Sequence, residues 1–244
     1  MAWSAKPSGG YTISSTEGTG NILEANGFMN DKGYALEAQA GVLGNSFAES
    51  GLNPWRWEMV NGVDTVDFSK GYGLFQFTPA SGYFNLSGQG IQGYAPNAST
   101  TVAQLGANPS DGWAQLIVLD DDILGKWNSS CWVSSWTAYE SQYGWIRDAI
   151  LNTYGNGTSL TLAQFREITG GIGGYSSQQA ITMATFAFVA CYERPTGANI
   201  KLDQRSGYAN SIYPILSGDT PPSPPSPTPG IGSRHTMPFY LYFV

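Results

Sequence analysis

Apolar residues recur along much of this chain at spacings of three and four, the repeat of helices that bury one face. Ser14-Ser15-Thr16-Glu17 has a capping-box pattern, so a first helix is predicted from there to about Asn30, with Gly33 breaking it. A second is predicted from about Tyr34 to Ser50. In it Leu36, Ala40, Leu43 and Phe47 form one apolar stripe, and Gly51 and Pro54 end it. The period then changes. Trp57-Glu58-Met59-Val60, Asn61-Gly62 and Val63-Asp64-Thr65-Val66-Asp67 read as a β-hairpin, because Asn-Gly suits a turn whose two central residues need positive φ. A third short strand is predicted over residues 72–77, and residues 84–108, rich in Gly, Ser, Asn and Thr, read as a long loop. Helical pieces follow at about 110–127, 141–153, 161–169, 177–193 and 203–213. Thr161 with Gln164 forms another capping box, Gly170-Gly171 stops that helix, and Pro195 closes the one that carries Tyr192 and Glu193. The fold class is therefore α+β and mostly helical, with a small antiparallel β-sheet beside the second helix.

The end of that helix is chemically suggestive. Glu49 stands where the helix dipole is negative and disfavours a further negative charge. Burial against Phe47, Leu52 and Trp55 would act in the same direction. A carboxyl that keeps its proton can serve as a general acid.

Composition narrows the options. The 244 residues suffice for one domain of about 200 residues and an appendage. Hydrophobic residues make up 41%, enough for a core, while charged residues make up only 12%, so Ser, Thr, Asn, Gln and Gly must supply the polar surface. With net charge −7 and no basic run, phosphate neutralisation is not a basis for binding, which argues against nucleic acid. His235 is the single histidine and lies in the C-terminal tail, so Cys-His hydrolysis and histidine-ligated zinc are both disfavoured, and no metal or cofactor is expected. Cys131 and Cys191 lack metal-ligand spacing and read as small buried residues, with one disulfide as the alternative. Asp120-Asp121-Asp122 reads as a solvated helix face rather than a cation loop. No charged segment followed by an apolar run opens the chain, and no stretch reaches membrane-spanning length, so neither an export signal nor a membrane partner is expected. The sequons at Asn85, Asn97, Asn128 and Asn156 are read as accidental. Residues 1–216 are expected to form one catalytic domain, 217–230 a proline-rich linker that favours polyproline II, and 231–244 an apolar tail too short for its own core.

Glu49-Ser50 with Asn53 and Tyr72-Gly73-Leu74-Phe75-Gln76 resemble the E-S-x-x-N and Y-G-[IL]-x-Q motifs of the lysozyme-like superfamily. Further blocks narrow the likeness. Trp3, Gly10-Tyr11, Ser15 with Glu17, Asn21, Gly41-Val42-Leu43-Gly44-Asn45, Arg56-Trp57-Glu58, Gln76 with Thr78-Pro79, and Tyr192-Glu193-Arg194-Pro195 resemble the phage tail lysozyme family, over roughly residues 1–216. The resemblance implies a lysozyme-like domain carried on a virion tail. It also implies cleavage of the β-1,4 bond between N-acetylmuramic acid and N-acetylglucosamine, with bacterial peptidoglycan as substrate and other tail proteins as partners. Glu49 would protonate the bridging oxygen, with Ser50 and Asn53 supporting it. Tyr72, Gly73 and Gln76 would meet sugar, with Trp57 as a stacking face and Tyr192 reaching the cleft. Glu193 is read as an ion-pair partner of Arg194 or Arg205.

The second carboxylate stays open at this stage. The c-type branch of the superfamily has an aspartate immediately before the Tyr-Gly of its cleft strand, and here that position is Gly71. Asp64 and Asp67 on the hairpin are the candidates, ahead of Glu58, whose neighbours suggest an ion pair. Attack by the sugar's own 6-hydroxyl, which makes an anhydro product, needs no second carboxylate, and the missing aspartate favours that route or inversion over covalent retention. A non-catalytic tail component that grips glycan is the alternative from another class.

Overall fold

The structure is a computed structural model that describes residues 3–84, 111–122, 124–127, 140–193 and 200–219. Helices α1 (Thr16–Asp31) and α2 (Leu36–Ser50) come first, followed by a hairpin of β1 (Met59–Val60) and β2 (Val63–Asp64). Short α3 (Ala80–Phe84), then α4 (Asp111–Asp120), α5 (Glu140–Thr153) and α6 (Leu162–Arg166) lead to α7 (Ser177–Phe188). A π-helical turn (Val189–Glu193) continues α7, and α8 (Leu202–Ser217) completes the described chain. The mostly helical α+β class expected from the pattern is what forms.

Local chemistry explains most of the helix ends. The Ser15 hydroxyl accepts the Gly18 N–H at the start of α1, and Thr161–Gln164 and Ser176–Gln179 form reciprocal capping boxes for α6 and α7. Gly51 ends α2 in the left-handed conformation, its N–H bonded to the Phe47 carbonyl. The Asn61-Gly62 turn has φ of 52° and 80°, as a tight hairpin turn requires, and pairs Met59 with Asp64 and Val60 with Val63.

Three elements differ from the pattern. Residues 72–77 are not a strand. One bridge joins Tyr72 to Trp57, after which positive φ at Gly73 (80°) and Gln76 (45°) folds the chain back, with Phe77 N–H bonded to Tyr72 O. The helix predicted from 110 stops at Asp120 because Asp122, at positive φ, accepts the backbone N–H groups of Lys126 and Trp127 and makes a turn. Asp120 itself is buried between Arg166 (2.6 Å) and Lys32 (3.1 Å) rather than solvated. Helix α8 runs on through Pro214 because Leu216 still reaches the core. Asn156 closes a turn by accepting the Thr158 and Ser159 N–H groups. The expectations for residues 85–108, Cys131, Arg194, Pro195, the linker and the tail with His235 lie outside the described residues.

Helix α2 is the centre of the fold. It is buried on every face from Glu37 to Ser46, more than a single stripe provides. Its small residues make this possible, and helices α7 and α8 both pack against it. A Cβ on Gly41 would come within 2.7 Å of the Ala184 carbonyl carbon and Thr185 N, and one on Gly44 within 2.7 Å of the Arg205 carbonyl oxygen. These two glycines set how closely α7 and α8 approach, and so where residues 185–193 and 205 stand relative to the end of α2. At the other end, Glu37 accepts bonds from the Thr169 hydroxyl (2.9 Å) and Gly170 N–H (3.1 Å), holding the loop before α7.

Two outcomes are expected. Gly44→Ala should cost about 1–3 kcal/mol in urea unfolding through overpacking, whereas Gly20→Ala, facing open space on α1, should stabilise by about 0.4–1 kcal/mol. Burial opposes ionisation of Glu37, but hydrogen bonds from the Ser177 side chain, Gly170 and Thr169 outweigh it and hold the carboxyl below its ordinary value. A depressed value contributes stability that is present above the unfolded-state value and lost as pH falls through the folded one. Glu37→Gln should therefore remove part of the acid-side fall in melting temperature, and an unchanged acid limb would show that the carboxylate is not its source.

Candidate functional site

The chain between α2 and α3 folds into one wall of a cleft. Asn53 makes this possible: its amide donates to Lys6 O (2.8 Å) and Gly9 O (2.7 Å), while its oxygen accepts Lys6 N–H and Trp55 N–H. The N-terminal segment is thereby fastened under the turn that follows α2. Ser50, expected to bond back to its helix, donates to Ser46 O and also contacts Leu74 O, joining α2 to the same wall.

The cleft has a volume of about 640 Å³. Glu49, Glu58, Gln76, Lys126, Tyr192 and Glu193 are among the residues that line it. Glu49, 24% exposed, stands in its wall and accepts a hydrogen bond from Arg205 Nη2, forming an ion pair. The other two guanidinium nitrogens also donate, Nη1 to Asn45 Oδ1 (3.0 Å) and Nε to Ile200 O (3.0 Å). Asn45 in turn donates to Gly41 O and Thr185 O. The partner that meets Glu49 is therefore a cation from α8. Of the apolar neighbours expected to surround it, Phe47 packs on Tyr208 (4.5 Å) and Leu52 is fully buried in the core.

Several predicted contacts fall elsewhere. Asp64 is buried under the N-terminal segment, accepting Gly9 N–H (2.6 Å) and pairing with Arg56 (3.2 Å), and it is not among the cleft residues. Asp67 is exposed and caps its own turn through Ser69, which lowers its carboxyl, first through the hydroxyl and then the backbone N–H. Neither hairpin aspartate therefore supplies a carboxylate to the cleft. Glu58 does line it, but its Oε2 accepts Gly71 N–H (2.8 Å), and Arg56 pairs with Asp64 rather than with Glu58.

Tyr72 is fully buried in an aromatic cluster with Trp57, Tyr83 and Phe84, away from sugar. Trp57 is 1% exposed and its ring face lies parallel to Phe84 at 5.7 Å, so that face is closed to a sugar although Trp57 borders the cleft. Gly73 makes room for protein rather than ligand: the Gln115 amide lies where its Cβ would be, accepting Leu74 N–H and donating to Pro54 O. Gln76 does line the cleft, its amide nitrogen donating to Gly73 O (3.0 Å) and Arg56 O (3.2 Å). At Gly71 a Cβ would come within 2.8 Å of Gln76 Oε1 and 3.1 Å of Gln76 Cβ. The glycine and the glutamine are thus one packing unit.

The π-helical turn contributes Tyr192 and Glu193 to the same lining. Tyr192 stacks on Phe188 (5.0 Å), and its hydroxyl is buried with no hydrogen-bond partner among the described residues. Burial, with Glu193 next, pushes that phenol well up. Sequence reasoning noticed Arg205 only as a possible partner of Glu193, yet the signal was present. Leu202, Arg205, Ala209, Ile212 and Leu216 fall at spacings of three, four, three and four. A charge within an apolar stripe is a buried charge that needs a partner. Among the described residues no group of His, Cys, Asp and Glu could hold a metal ion, and no helix is long and apolar enough to cross a membrane.

Comparison with known proteins places this geometry in context. The model of the phage tail lysozyme family matches residues 21–119, which include α2, the hairpin and the Gln76 turn. Morphogenesis protein 1 of Bacillus phage B103 is 36% identical over 73 residues, covering 30% of this chain and 19% of that protein. The chain thus matches about a fifth of the length of that relative.

Arg205→Lys keeps a charge but cannot reach Glu49, Asn45 and Ile200 together. It should lower stability by about 1–3 kcal/mol, because the charge remains but the buried acceptors Asn45 Oδ1 and Ile200 O can no longer both be served. Chemical denaturation measures this, and a loss within experimental error would show that the arginine does not hold the two helices.

Proposed function

We propose, from the match of residues 21–119 to the model of the phage tail lysozyme family, that the cleft cleaves the glycan strand of bacterial peptidoglycan, as a hydrolase of the β-1,4 bond between N-acetylmuramic acid and N-acetylglucosamine. The observation that carries this reading is Glu49, a carboxylate at the end of the central helix, fixed by Arg205 in the wall of a cleft that Gln76 also lines. Cleavage of a glycosidic bond needs a proton on the bridging oxygen as the sugar becomes oxocarbenium-like, and Glu49 is the residue that delivers it. With both amide hydrogens of Gln76 donated to Arg56 O and Gly73 O, its Oε1 is the atom that would accept from a sugar hydroxyl or an N-acetyl N–H. The whole chain would act in a virion tail, beside other tail proteins, where local opening of the wall is required. The reading needs neither metal nor cofactor.

The cleft chemistry bears on the second step. Asp64 and Asp67 are committed elsewhere and position 71 is closed by Gln76, so a covalent sugar ester on any of them finds no support. Attack by water on the oxocarbenium-like sugar is the step proposed here.

Glu49→Gln should reduce wall clearing by roughly 100-fold or more, the usual scale of general acid catalysis, with binding to purified walls retained at a temperature where the variant is folded; its melting temperature should fall, because buried Arg205 loses its counter-charge. Clearing at the wild-type rate would rule Glu49 out. Mass spectrometry of the released muropeptides fixes the second step: reducing ends are expected, and fragments lighter by one water would instead identify transglycosylation.

A further inference from the structure

Glu193 has an unusual position. It lies on the π-helical turn, lines the same cleft as Glu49, and its Oε1 is buried with no hydrogen-bond partner among the described residues. As an anion, such an oxygen would lose water and gain no donor in exchange. The phenol beside it, Tyr192, is likewise buried and unpartnered. The charged groups facing Glu193 come from three other elements: Glu49 at the end of α2, Arg205 on α8 and Lys126 on the loop after α4. Burial first, and then the negative charge of Glu49, hold the Glu193 carboxyl well above the ordinary carboxylate range, while Arg205 and Lys126 pull the other way without prevailing. Glu49, in contrast, is ion-paired with Arg205. Two carboxylates whose surroundings differ in this way are the arrangement that separates proton-holding from charge-bearing roles.

We propose that Glu193 is the resting seat of the catalytic proton, and that Glu49 carries this proton from it to the bridging oxygen of the glycan. The proposal rests on the assignment of Glu49 made above. The proton leaves the Glu193 carboxyl for the Glu49 carboxylate and passes to the glycosidic oxygen as the C–O bond breaks. The bonding electron pair stays with that oxygen, and the leaving sugar departs with a new hydroxyl. Glu193 is then a carboxylate facing Arg205 and Lys126, two cations suited to this moment of the cycle. Water adds its oxygen to the anomeric carbon, and its surplus proton returns through Glu49 to Glu193. One bond is broken, one water is consumed and the protein is restored. Glu193 thus acts through Glu49, as a positioning residue for the proton.

Glu193→Gln tests this, because Gln is the neutral isostere of a protonated Glu and would satisfy any merely structural need for an uncharged group. The expected result is a loss in kcat on glycan of roughly 100-fold or more, with KM and the melting temperature near wild type. Activity that depends on a proton held at a raised value persists to higher pH and falls as pH rises through that value, so the wild-type alkaline limb should disappear in the residual activity of the variant. Carboxyl-carbon NMR of Glu193 gives a second readout that needs no such variant. The wild-type carboxyl should be protonated at neutral pH, and Glu49→Gln should lower its titration by removing the negative neighbour. Wild-type kcat and pH profile in Glu193→Gln, or an ionised Glu193 at neutral pH, overturns the proposal and leaves the role of Glu49 standing. Wild-type turnover in Glu49→Gln overturns both.

Discussion

The guanidinium of Arg205 joins parts of the chain that local structure makes separately. Its three nitrogens reach Glu49 and Asn45 on α2 and the carbonyl of Ile200 before α8. A buried guanidinium is tolerable only when its nitrogens find acceptors and its charge is answered; one face of α2 supplies the counter-charge and one acceptor, and the Ile200 carbonyl supplies the other. The contact exists because Gly44 lets the α8 backbone come close. Packing and electrostatics are therefore not separable here: the small residue admits the helix, and the helix brings the charge that fixes the carboxylate.

The segment from Trp57 to Phe84 follows another logic. Residues 57–84 wrap an aromatic cluster of Trp57, Phe68, Tyr72, Tyr83 and Phe84 rather than extending a sheet. The cluster gives a short, turn-rich segment the rigidity that a two-stranded hairpin lacks. On this base stand Glu58 and Gln76, each held by backbone groups of neighbouring turns. Helix contacts thus position Glu49 and an aromatic floor positions Glu58 and Gln76, while Ser50 on Leu74 O and the Phe75 ring against Phe188 and Tyr192 tie the two pieces together beside the cleft.

Much of this was legible in the sequence. Capping residues and Gly51 marked helix ends because their effects are local, and Asn61-Gly62 fixed the hairpin turn for the same reason. The helix terminus at Glu49 could be found from the same signals. Tyr72, Gly73 and Trp57 were harder, because an aromatic or glycine near a cleft has the same one-dimensional pattern whether it faces ligand or core. Only the distant partners decide: Gln115 fills the space beside Gly73, and Phe84 covers Trp57. Asp64 misled for a related reason, since its partner Gly9 lies 55 positions away. Alternation along a strand says which face a side chain takes, not what the N-terminal segment does beneath it.

The π-helical turn at residues 189–193 has a consequence of its own. A wider turn accommodates one residue more than an α-helix would, and each α-helical residue advances the side-chain direction by about 100°. Were that stretch to tighten to regular geometry with its residue count unchanged, whatever follows would swing by this angle, and the carboxyl now at the cleft would be aimed elsewhere. Here the aim of the side chain is encoded in the number of residues as much as in their identity, so a one-residue insertion in α7 would misdirect the site without altering any residue that lines it.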